Sequence, residues 1–171
     1  MVSIEWCLKK KKGLRLIEPS ENVTDSYIAM AKESIKALNN LKESKIWSAT
    51  TSYYIFYYSL YAVMRRIGIK CEIHSCSKEF MKSYLQDKYH TKDINMMEKA
   101  FEARIDLQYY TDRVIDDEQL NEVEKYCKGF YTKTKDIISK ISEEEIDKIR
   151  NEIKNKKNNK KTSKDRKENS K

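Results

Sequence analysis

Ile46, Thr50, Tyr53, Tyr57, Leu60, Met64 and Ile67 recur at gaps of 4, 3, 4, 3, 4 and 3. That spacing draws a seam along one face of a helix over residues 45–67. A second row, Tyr54, Tyr58 and Tyr61, lies on a neighbouring face. A helix with two apolar faces is sandwiched between other elements rather than laid on a surface. We read the tyrosine rows as core and subunit seam, with phenol oxygens finding partners or water at the edges. Gly68 stands where a left-handed C-cap would end the helix.

The neighbours of this helix are legible on both sides. Residues 3–18 read as a short helix and an extended piece ending at Pro19, with Lys9 to Lys12 a solvated face. Val23, Tyr27, Met30, Ala31, Ile35, Leu38 and Leu41 form the stripe of a helix over 22–43. After the loop IKCEIHSCS, Ser77 is the expected cap of a short helix over 78–87, and Thr91 of a long one over 92–110. Asp116 and Gln119 have capping-box spacing and open a helix carrying Leu120, Val123, Cys127, Phe130, Thr134, Ile137 and Ile141. Ser142 and Glu145 repeat that spacing ahead of Ile146, Ile149 and Ile153. With only three Gly and one Pro, hairpins have little material, and no window alternates apolar with polar. The expected fold is all-α, an up-and-down bundle of four to five main helices with short terminal ones.

Charge divides the chain more sharply than apolarity does. Residues 154–171 hold eight Lys and one Arg against Asp165 and Glu168, so they carry +7 of the formal +8. The organisation expected is an N-terminal arm (1–19), a bundle (20–153) and a Lys-rich, disordered tail (154–171). The tail is read as a solubilising end, with weak binding to polyanions as the alternative. No apolar run is long enough to span a membrane, so no membrane is expected. The N-terminus has charge but no secretory apolar stretch, and the protein is expected in the cytoplasm. Cys7, Cys71, Cys76 and Cys127 are then expected as free thiols, a Cys71–Cys76 disulfide being disfavoured in a reducing compartment. Cys71, His74 and Cys76 cluster, with Cys7 and His90 as completions, but zinc sites use more regular spacings, and neither metal nor cofactor is expected. His74 and Ser75 are expected to bond backbone at a helix junction while Cys76 packs.

Several blocks together resemble a known family. Ser52-Tyr53-Tyr54, Tyr57-Tyr58, the apolar run Leu60 to Val63, Gly68 and His74-Ser75 follow in the order of the second-helix signature of the HEPN (higher eukaryotes and prokaryotes nucleotide-binding) superfamily. RIDLQYYTDR and KGFYTKTKDII resemble the next two blocks, and the match covers roughly residues 20–141. The resemblance implies a helical homodimer with two arginine-bearing helices facing across a shared cleft. Ribonucleases of the family pair that arginine, which holds the scissile phosphate, with a histidine a few residues on, which moves the proton, and need no metal. Some are neutralised by a small nucleotidyltransferase antitoxin that adenylylates a tyrosine near this motif.

Carried onto this chain, the resemblance makes Arg104 the phosphate-binding arginine, with Arg113 a second candidate contact. The histidine window, Tyr109 to Thr111, holds no histidine. A phenol titrates near 10 and is a poor general base at neutral pH. Tyr109 and Tyr110 are thus candidate proton donors, base-stacking surfaces or modification sites, or else half-buried rings closing the helix. His74 is the candidate substitute base if its loop folds over the cleft. The alternative for Arg104 is a structural ion pair with Asp106, Asp112, Glu122 or Glu124. Two functions follow: a non-catalytic or weakly active dimeric module binding nucleotide, RNA or a partner protein, and a toxin-like endoribonuclease paired with a nucleotidyltransferase.

Overall fold

The computed structural model describes residues 2–41, 43–110 and 112–168, with side chains through residue 158. Seven helices and one two-stranded ribbon occur among them: α1 (Ile4–Lys9), β1 (Arg15–Leu16), α2 (Glu21–Leu38), α3 (Lys45–Ile67), β2 (Ile69–Lys70), α4 (His74–Tyr84), α5 (Thr91–Tyr109), α6 (Asp117–Lys140) and α7 (Glu143–Glu168). The all-α architecture is as expected, and α3 is its axis, packed against α2, α5 and α6. Fourteen of its side chains are buried, among them Phe56, Leu60, Met64 and Ile67, which line no solvent at all. No helix among the described residues is long and apolar enough to cross a membrane.

Gly68 ends α3 as its position implied. Its φ of 80° lies in the left-handed region, and its N–H returns to the carbonyls of Arg65 and Met64. A Cβ there would stand 2.5 Å from the Ile17 carbonyl oxygen, so the site excludes a side chain on two grounds. The space is taken by Arg150 of α7. Its Nη1 donates to the carbonyls of Ile17 (2.8 Å), Ile67 (3.0 Å) and Gly68 (3.2 Å). One guanidinium thus satisfies carbonyls left over at the end of α3 and ties α7 to it. The chain then turns into the ribbon, where β1 and β2 pair antiparallel with Arg15 opposite Lys70 and Leu16 opposite Ile69.

Several expectations are corrected. Cys7 and Cys76 form a disulfide, with Cα atoms 5.5 Å apart, while Cys71 and Cys127 are free and buried. The bridge joins α1 to α4 across 69 residues of sequence, a proximity only the folded chain creates. It also removes Cys7 and Cys76 from any metal-ligand set with Cys71 and His74. Helix α4 begins at His74, four residues before the expected start; Ser77 is inside it, buried, and donates to the Tyr61 hydroxyl at 3.0 Å instead of capping. Likewise His90, not Thr91, caps α5, its N–H donating to the Asp93 carboxylate at 2.7 Å. Helix α2 stops at Leu38, short of the expected 43, and Lys42 lies outside the described residues. The ribbon was not anticipated. Finally, α7 continues through Glu168, so residues 154–168 are helical where a disordered tail was expected; 169–171 lie outside the described residues. The Ser142–Glu145 capping box that opens α7 is present, with reciprocal bonds of 3.0 and 3.2 Å.

Candidate functional site

Arg104 sits in the second turn from the end of α5 and is half-buried. Its Nε donates to Gln108 Oε1 at 3.1 Å, one helical turn on. Gln108 Nε2 in turn donates to Thr50 Oγ1 at 2.9 Å, and Thr50 donates to the Ile46 carbonyl at 2.7 Å. A chain of three polar side chains therefore fixes the guanidinium to α3. Its carbon lies 5.3 Å from the ring centre of Tyr53 and 5.4 Å from that of Tyr54, within cation–π range. No carboxylate among the described residues pairs with it. The candidates for a structural ion pair are engaged elsewhere or apart: Asp106 holds Arg113, and Glu122 holds Lys99 at 3.0 Å. The outer N–H groups of Arg104 retain their charge and their capacity to donate.

His74 opens α4 and belongs to the same site, although 30 positions separate the two in sequence. Its Nδ1 is hydrogen-bonded to the Tyr53 hydroxyl, and its ring stacks on Tyr57 at 4.7 Å between centres. Burial pushes its pKa below the usual 6.5, and the positive charge of Arg104 pushes it the same way. The imidazole is neutral at pH 7. Tyr53 is 1% exposed, and burial raises its phenol far above the ordinary value. Tyr53 therefore keeps its proton; in the tautomer where its hydroxyl is the donor to Nδ1, the imidazole proton sits on Nε2. As assembled, the site offers one fixed cation, a neutral imidazole N–H and partly exposed tyrosine rings. That set complements a phosphate: the guanidinium carries charge and a planar fork of donors, and in that tautomer Nε2–H adds another donor. For His74 to act as a base from that tautomer, the proton on Nε2 would have to be lost or moved to Nδ1 first.

The other predicted residues lie apart. Tyr109 and Tyr110, 66% and 45% exposed, make no hydrogen bond or ring contact with Arg104. The expectation of two half-buried rings closing the helix is corrected at Tyr109, whose ring is mostly in solvent, while Tyr110 is covered on one face. Arg113 pairs with Asp106, and its guanidinium carbon covers the Tyr110 ring at 3.8 Å. Tyr110 and Arg113 form an exposed group past the end of α5, tied to it through Asp106, and Thr111 lies outside the described residues. Reading the sequence missed Gln108, and assigned Thr50, Tyr53 and Tyr54 to core and seam only. The i,i+4 spacing of Arg104 and Gln108 was the available signal. Tyr54, Tyr57 and Tyr58 are half-buried, so the tyrosine rows are only in part core.

No protein-family model matches this sequence, and no curated protein matches it significantly.

Proposed function

We propose that the protein is an HEPN-like dimeric module that binds RNA or a nucleotide through a phosphate held by Arg104. The observation that carries this is the half-buried guanidinium, fixed by Gln108 and two tyrosine rings and paired with no carboxylate among the described residues. An arginine kept for structure alone takes an acidic partner or, as Arg150 does, several backbone carbonyls, whereas the Arg104 guanidinium has the Gln108 amide oxygen as its one acceptor among the described residues. The missing motif histidine favours binding over turnover, and a partner protein is the other ligand class this module would take. The test is equilibrium binding of mixed RNA by wild type and Arg104→Ala. Binding that depends on Arg104 but survives Tyr109→Phe supports the reading; binding indifferent to Arg104 removes it.

A second reading rests on His74. Its imidazole and Arg104 share one site, with Tyr53 orienting the ring. That arrangement favours a metal-independent endoribonuclease of toxin type, with a nucleotidyltransferase-family antitoxin as partner. It requires RNA cleavage, or growth arrest on expression, that is lost in both Arg104→Ala and His74→Ala. Binding without cleavage at any pH leaves the binding module alone.

A further inference from the structure

A cavity lies further along α3, at the end distant from Thr50. It measures about 300 Å³ and is walled by Tyr27, Tyr57, Tyr61, Arg65, Lys70 and Glu72. Its charge is lopsided. Glu72 already has Arg15 at 2.5 Å, Lys70 at 3.7 Å and Lys12 at 4.0 Å. Arg65 adds a fourth cation, and its guanidinium makes no hydrogen bond or ion pair among the described residues. Its Nε is buried without an acceptor, and so is the Nε of Arg15, which sits opposite Lys70 in the β ribbon. Within the wall itself, two cations, Arg65 and Lys70, face one carboxylate that three cations already share, and the buried Nε of Arg65 has no acceptor, which leaves a demand for negative charge.

The remaining wall is aromatic. Tyr57 and Tyr61 lie 4.3 Å apart between centres, tilted by 32°, and Tyr27 lies 5.6 Å from Tyr61. Tyr27 and Tyr57 are half-buried, so each keeps ring surface for a ligand. We propose that this cavity binds a phosphate monoester carried on a flat heteroaromatic group, the phosphate on Arg65 and Lys70 and the ring against Tyr27 and Tyr57. Arginine matches the phosphate with its fork, and a π-face accepts any base by stacking. The site is distinct from that of Arg104 and does not depend on the reading given to it, although Tyr57 touches both, with His74 on its ring.

The test is calorimetric titration of the full chain with 5′-AMP, adenosine and a trinucleotide with and without a 5′-phosphate. Saturable binding of 5′-AMP, with adenosine at least about tenfold weaker, is the expected result. Arg65→Gln and, separately, Lys70→Gln, whose side chain is half in solvent, should each weaken 5′-AMP at least about fivefold. Arg104→Ala should leave 5′-AMP binding intact, which separates failure here from failure at the other site. Equal binding by the 5′-phosphorylated trinucleotide would identify a chain end as the source, and rejection of it a free nucleotide; both uphold the pocket. Equal affinity for 5′-AMP and adenosine, no saturation by 5′-AMP, or no effect of either substitution in protein with unchanged circular dichroism overturns it.

Discussion

Where α3 meets α6, Phe56 packs on Phe130 at 4.9 Å between ring centres, and Phe130 stacks on Tyr89 at 4.8 Å. Two polar groups beside them have partners, while the Ser52 and Ser59 hydroxyls of α3 are buried without one among the described residues. The Tyr89 hydroxyl meets Thr134 Oγ1 at 2.7 Å, and the buried Asp93 carboxylate accepts from Tyr126 (3.0 Å) and Lys133 (2.5 Å). Around the same helix, Tyr54, Tyr57 and Tyr58 are half-buried, and the two arginines flanking them, Arg104 and Arg65, have no carboxylate. Both faces are aromatic; only one carries arginines that lack a carboxylate among the described residues. A network of paired groups specifies a fold, whereas cations left unpaired beside open rings cost stability, a cost that the ligand proposed above would offset.

The comparison breaks first if the closed face proves dispensable. Phe130→Ala should cost about 3–5 kcal/mol by urea denaturation, since it removes a fully buried ring. Tyr58→Ala, on the open face, should cost about 1 kcal/mol or less. Loss of the Cys7–Cys76 bridge by Cys7→Ser should lower stability by up to about 4 kcal/mol, for the loop of 69 residues it closes, and the difference should vanish in reductant. Gly68→Ala should cost about 1–2 kcal/mol in the same assay from its positive φ alone, and more because its Cβ meets the Ile17 carbonyl.

The open face should also respond to acid. The folded pKa of His74 lies below its unfolded value near 6.5, so the unfolded chain takes up the proton first. This contribution to stability is present above pH 6.5 and is lost as pH falls below it towards the folded value. The unfolding midpoint of His74→Gln should therefore decline less than that of wild type between pH 7.5 and 5.5. The smallest effect belongs to Arg104→Ala, which should move stability by no more than about 0.5 kcal/mol, as no ion pair is broken.

How much of this was legible in the sequence follows from how local each cause is. The bounds of α3 were read within a residue, because the 3–4 seam and Gly68 act over one helix. Those of α5 and α6 were read almost as well. The start of α4 was misplaced because Ser77 is a better cap by residue type than Ile73, yet a partner on α3, Tyr61, claims its hydroxyl. Two-residue strands are too short to show alternation, so the ribbon that brings Lys70 beside Arg15 left no signal. At the candidate site, Arg104 was chosen through a resemblance and His74 only on condition that its loop folded over. Their meeting depends on α4 packing beside α3 and α5, which no spacing along the chain encodes.

The most direct measurement is the affinity of wild type and Arg104→Ala for mixed single-stranded RNA at one salt concentration, alongside their unfolding midpoints. A loss of about tenfold or more in affinity at unchanged midpoint is the predicted result. Equal affinity in the two proteins, or a midpoint that falls along with the affinity, would make Arg104 a structural residue and contradict the reading of this face as a phosphate site.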